Sequence, residues 1–197
     1  FGSVQAIASL RRRGGVALIH ALTRELDNLM VAWSRALAAE HQSIVVSTCL
    51  AAREVLKRIG PWKTAAEMAE ASLKRFGLDN EDRIRLLLAA ASANHLNGDM
   101  AVSQNQYETA LQAARDVDSK PLIATALGNL GLNHFQQGQI QQALSYTTES
   151  MELARSIGAK EKEGFSALTL SDINRRRGDT GAAMELARHA LHLAQQL

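Results

Sequence analysis

One cysteine, two prolines and 4% aromatic residues among 197 positions exclude several architectures at once. The lone Cys49 leaves no internal disulfide framework and points to a reducing, cytoplasmic compartment. No apolar run approaches the ~18 residues that span a bilayer, and the N-terminus lacks a charged-then-apolar leader with a cleavage site, so no membrane contact is expected. The formal charge is only +2, and its basic residues are scattered, so direct nucleic-acid binding is not expected either. Motifs for phosphate loops (G-x₄-G-K-[ST]), zinc proteases (H-E-x-x-H) and serine hydrolases (G-x-S-x-G) are missing. The reading is therefore no enzyme, no catalytic residue, no cofactor and no metal.

What remains is rich in alanine and leucine, with 46% hydrophobic and 21% charged residues, the composition of an all-α protein packed through small side chains. A chain that opens Phe1-Gly2-Ser3 and ends inside a helical pattern reads as a segment of something longer, with Gly2-Ser3 a cloning remnant.

Glycine supplies the organising signal. Gly98, Gly138 and Gly178 lie 40 residues apart, and Gly60 lies 38 before Gly98. Four such coincidences in one phase arise by chance with a probability on the order of 10⁻⁵ at ordinary glycine usage. The line "IRLLLAAASANHLNGDMAVSQNQYETAL" aligns without a gap on "ATALGNLGLNHFQQGQIQQALSYTTESM". Each unit is thus helix, tight turn, helix, with the glycine ending the first helix in a left-handed conformation. Pro61 suits a first helical position, Asp99 and Asp179 suit N-caps, and Gly158 ends a second helix.

Small residues hold one register in the second helices, at Ala65, Ser103, Ala143 and Ala183, and seven residues on at Ser72, Ala110, Ser150 and Ala190. In the first helices Ala91, Gly131 and Ser171 share a register in which Arg53 is the exception. Gly131 is expected to let its partner helix approach beside Ala143, while leucines such as Leu127, Leu170 and Leu191 fill the layers between pairs.

This pattern resembles the tetratricopeptide repeat, best at Leu127-x₂-Leu130-Gly131-x₂-His134 followed by Gly138 and Ala143, with Tyr107 as a later aromatic in the preceding unit. No tryptophan opens any unit, and units of about 40 residues with the cadence "ALGNLG...G...QAL.....SMELARSIG" are similar to those of bacterial signalling ATPases, transcriptional regulators and kinesin light chains. Four repeats are expected, about 42–79, 80–119, 120–159 and 160–197. Before them, residues 4–41 read as accessory helices, including one through "LTRELDNLMVAWSRAL" with Leu22, Leu26, Leu29, Ala32 and Trp33 on one face. Its Glu25, Asp27, Asn28 and Leu29 are similar to the helix that follows the ATPase core in such regulators.

The resemblance implies a right-handed α-solenoid, its concave side lined by the first helices and binding a protein or peptide. Groove positions then include Arg85, Ser92 and His95 in the second repeat, Thr125, Gly128, Asn129, Leu132 and Phe135 in the third, and Phe165, Asp172 and Arg175 in the fourth. Leu50, Ala51, Glu54, Lys57, Leu88, Ala89 and Leu168 share that periodicity. Peptide-binding members of the family carry an asparagine at the place of Asn129, and Gly128 beside it reads as bare backbone open to a partner. The bland alternative for Phe135 and Phe165 is packing between repeats.

The function implied is a non-catalytic interaction scaffold, the sensor or partner-binding arm of a larger bacterial cytoplasmic regulator. Two other readings stand beside it. One is a receptor for a small ligand or signalling peptide; the other is self-association through the last helix, where Met184, Leu186, Leu191 and Leu193 lack an evident cover. His189 and His192, three apart, read as a solvated helix end rather than metal ligands, and the triplets Arg11–Arg13 and Arg175–Arg177 as surface charge, the second favouring a helix C-terminus. Cys49 reads as a buried, inert thiol.

Overall fold

The five glycines expected to break helices all take a left-handed φ: Gly60 (72°), Gly98 (92°), Gly138 (77°), Gly158 (67°) and Gly178 (86°). After four of them the next amide reaches back five residues, from Asp99 to the Asn94 carbonyl (2.9 Å), Gln139 to His134 (2.9 Å), Ala159 to Ala154 (2.8 Å) and Asp179 to Asn174 (3.0 Å). This cap satisfies carbonyls that a helix end otherwise leaves open. Asp118 (φ 49°) and Glu40 (φ 58°) build the same turn without glycine.

The computed structural model describes residues 15–78 and 81–197, and among them these turns separate ten helices with no strand. They are α1 (Gly15–Arg24), α2 (Leu26–Ala38), α3 (Gln42–Ile59), α4 (Trp62–Arg75), α5 (Glu81–Asn97), α6 (Met100–Asp116), α7 (Lys120–Gln136), α8 (Ile140–Ser156), α9 (Lys160–Arg177) and α10 (Thr180–Gln195). Arg11–Arg13 and Gly2-Ser3 lie outside the described residues. The Asp179 side chain accepts from the Ala182 amide at 3.0 Å, as an N-cap should. Pro61 does not open α4; its ψ of 126° is extended, which places it before the helix, and α4 starts at Trp62.

The chain divides into two compact units, with the boundary inside α6 between Gln106 and Tyr107. In the first, α3, α4 and α5 close a core of alanine, leucine and valine around Cys49, Leu56 and Leu86. The single helix expected through Leu22 and Trp33 is broken at Glu25. Burial explains the break. On one side Leu22 packs with Ala51 and Val55 of α3; on the other, Trp33 Nε1 donates to Ser72 Oγ of α4 at 3.0 Å. As a result α1 and α2 both lie against α3, the same order in which α7 and α8 lie against α9 in the second unit.

In the second unit consecutive helices pack as antiparallel pairs, the arrangement of an α-solenoid. The small-residue register is buried at all eight positions along the chain. Its Ser150 also bonds across helices: Ser150 Oγ donates to the Ala124 carbonyl (2.8 Å) and lies 2.8 Å from Ser166 Oγ of α9. Burying each large neighbour such as Leu127 or Leu130, both 0% exposed, contributes about 1.5–3 kcal/mol. Gly131 meets Thr147 rather than Ala143, one turn further along α8. Leu191, expected between layers, is 60% exposed, because among the described residues no helix follows α10 to cover it.

Candidate functional site

The sequence-derived groove residues fall on α5 in the first unit and on α7 and α9 in the second. On α5, Arg85 is already engaged by its own helix, pairing with Glu81 and with Asp82 (3.0 Å). Ser92 is buried. His95 is half-buried, and its pKa is lowered first by burial and then by the positive charge of Lys57 on α3, which places these two groups near one another. Around them the first-helix surface is more closed than its periodicity suggests. Leu50, Ala51, Leu88 and Ala89 are buried, with Ala51 packed beneath Leu22 of α1. Glu54, 1% exposed, sits between Arg53 (2.9 Å) and Arg58 (3.6 Å). Only Lys57 of that set is exposed on α3.

The second unit offers a more open surface. Phe165 of α9 is 39% exposed, and its ring lies over α7, 3.4 Å from where a Cβ on Gly128 would stand. That contact corrects the reading of Gly128 as bare backbone: the residue is buried, and Ser150 Oγ stands 3.0 Å from the same point. The glycine exists so that α8 and α9 can close on α7. Beside it Asn129 is half-buried, and its side-chain amide meets no hydrogen-bond partner among the described residues. Leu132, one turn on, is half-buried as well.

Flanking groups are committed to local bonds. Thr125 Oγ1 donates to the Pro121 carbonyl (2.8 Å), and Arg175 pairs with Asp172 (2.9 Å) on the exposed side of α9. Phe135 packs partly into the cluster of Ala143, Leu170 and Ile173, with the Arg176 guanidinium 5.6 Å from its ring centre. Packing between repeats thus accounts for much of Phe135, and Arg176, read in the sequence only as part of a surface-charged triplet, lies over its ring.

The sequence reading also missed Glu163. This buried carboxylate on α9 accepts from Arg155 Nε of α8 (2.9 Å) and lies 2.8 Å from His189 Nε2 of α10. Burial alone would push its pKa up, but the hydrogen bonds from His189 and Arg155, reinforced by their charges, hold it below the ordinary value. Partners 8 and 26 residues away leave no local signal in the sequence. His192 turns instead to Gln196. Among the described residues no three His, Cys, Asp or Glu side chains converge as a metal site, and no helix is long and apolar enough to cross a membrane.

Comparison with known proteins agrees with this architecture. The model of the tetratricopeptide repeat matches residues 82–156 and again 122–196. Among solved structures the chain is similar to the crystal structure of BtubC (BKLC) from P. vanneervenii, with a TM-score of 0.72 and 18% identity over 90% of this chain and 75% of that one. Among curated proteins none matches in sequence.

Proposed function

The chain belongs to the tetratricopeptide repeat family, and from that premise we propose that it is a partner-binding scaffold whose recognition surface lies on α7 and α9. Tetratricopeptide repeats mediate protein–protein interactions, and the all-helical repeat fold is typically a non-catalytic one. The observation that carries the finer reading is Asn129. A half-buried amide with both hydrogen-bonding capacities open, set beside the exposed Phe165 ring, suits the backbone of an extended peptide. An apolar side chain of that peptide would lie against Leu132 and Phe165, and polar ones near Thr125, Asp172 and Arg175.

The cadence of the repeats supports a larger setting, in which this segment is the sensor or partner-binding arm of a bacterial cytoplasmic regulator. Partner binding would then bias the parent protein between two states by the difference in affinity for each.

The test starts from peptides selected against the folded chain out of a random library. Asn129→Ala should weaken a selected peptide at least tenfold while melting is unchanged, and Phe165→Ala should weaken it as much in a chain confirmed folded, at some cost in stability from its lost contact with α7. If no peptide is selected, or if both variants bind as the parent does, this surface is not the site.

A further inference from the structure

One register position of the first helices is small in three repeats, at Ala91, Gly131 and Ser171, and carries Arg53 in the remaining one. The Arg53 guanidinium gives one Nη to the buried Glu54 (2.9 Å), a carboxylate that Arg58 also approaches (3.6 Å). Arg53 Nε is left buried with no hydrogen-bond partner among the described residues. An unpaired donor on a buried cation is costly, so this edge of the guanidinium calls for an acceptor.

Arg53 forms one wall of a narrow cavity of about 170 Å³ inside the first unit, between α3, α4 and α5. Beside it stand Lys57, one turn on along α3, and Ser92 of α5, whose hydroxyl also meets no hydrogen-bond partner among the described residues. Trp62, 39% exposed, supplies an aromatic wall, and Ala65 and Leu96 apolar ones. No carboxylate lines the space among the described residues. On this stretch of α3 three cations, Arg53, Lys57 and Arg58, are set against Glu54 alone. The surplus is felt on α5, where burial and then the Lys57 charge lower the pKa of His95.

We propose that this cavity binds the phosphomonoester of a small organic ligand, with the Arg53 Nε edge and Lys57 on the phosphate oxygens, Ser92 Oγ as a further donor and the organic part against Trp62. A phosphomonoester carries about −1.5 to −2 charges at pH 7, which matches a surplus of two cations better than a carboxylate does. The planar guanidinium bonds two oxygens in a fixed geometry, while the lysine serves as a point charge. Because the walls stand close, the phosphate enters as the exposed Lys57 and Trp62 side chains turn outward. That leaves no room for a length of peptide backbone beside it, so the ligand is small. The site shares no residue with the Asn129 surface and stands without it.

Isothermal titration of the whole 197-residue chain at constant ionic strength tests this, with phenyl phosphate as the probe. Saturable binding is expected, tighter than for inorganic phosphate, which has no ring for Trp62, and tighter than for benzoate, which has less charge. Arg53→Lys, which keeps a cation for Glu54 but removes Nε, and Lys57→Met, at an exposed position, should each weaken it about tenfold or more in chains confirmed folded by circular dichroism. Lys74→Gln, which removes an equal charge from the other end of α4, should leave it unchanged. Absence of saturable binding, or binding indifferent to Lys57→Met, overturns the proposal. So does benzoate or inorganic phosphate binding as tightly as phenyl phosphate, or a short phosphoserine peptide binding more tightly, because the ligand would then be a carboxylate, a bare ion or a protein.

Discussion

The Thr147 hydroxyl on α8 occupies the place that a Cβ on Gly131 of α7 would take, with the Thr147 backbone nitrogen a further 3.1 Å from that point. Alanine at 131 gains about 1 kcal/mol of helix propensity but forces the two helices apart, at about 1–3 kcal/mol. Gly131→Ala should therefore lower stability by up to about 2 kcal/mol in urea unfolding. Among the described residues Thr147 Oγ1 is buried without a hydrogen-bond partner, so Thr147→Ala removes the closest part of the clash and leaves only the Thr147 Cβ and backbone nitrogen at 3.1 Å. The double variant should recover most of the loss; additive losses would show that the contact is not what Gly131 serves.

Gly128 makes a milder version of the same contact, against Ser150 Oγ at 3.0 Å and the Phe165 ring at 3.4 Å. Gly128→Ala should cost less than Gly131→Ala, about 1 kcal/mol or below. Gly128→Leu should disrupt the packing of α8 and α9 on α7 and lower the melting temperature markedly. A leucine variant as stable as the parent would mean that this side of α7 is open after all.

Glu163 ties α8, α9 and α10 together through Arg155 and His189. Its carboxyl is held below the ordinary value, so the folded state binds its proton less readily than the unfolded chain does. That contribution is complete above the unfolded carboxylate pKa of about 4.3 and is lost as pH falls through the lower folded value. Glu163→Gln should cost about 1–2 kcal/mol near pH 7, and the gap to the parent should narrow as the solution is acidified through pH 4. A gap independent of pH would remove the carboxylate from the account.

Cys49 is 2% exposed, and burial pushes its thiol up to about 12, against the opposing effects of a Ser72 hydrogen bond and the Arg53 charge. Iodoacetamide near pH 8 should modify the native chain at least about a hundredfold more slowly than the denatured one. Rapid native labelling would contradict this burial.

The features legible in the sequence were those that recur or act locally. Gly98, Gly138 and Gly178 announced the turns because a left-handed φ tolerates little else, and the eight small register residues announced close helix contact because they repeat in phase. Periodicity was less informative about exposure. It placed Leu50, Leu88, Gly128 and Leu168 on one surface, yet only Leu168 is exposed; at Gly128 that position faces the next first helix, α9, through Phe165 rather than the groove. Leu193, expected to be bare, is buried beside Gly164, and Leu186 is half-buried, while Met184 and Leu191 stay exposed. Leu186 and Leu193 lie two residues on from Met184 and Leu191, on nearly the opposite face of α10, so one run of apolar letters served both a covered and an uncovered face. The break at Glu25 and the Glu163 network were set by residues distant in sequence, which no local pattern records.

Among the described residues the helices of the second unit pack chiefly on the next helix and the next but one. On α10 Met184 and Leu191 are exposed, while Ala183, Ala190 and Leu193 are buried against α9. Amide hydrogen exchange in α10 should accordingly run through local fraying well below the global unfolding free energy, while α8, enclosed by α7 and α9, should exchange last.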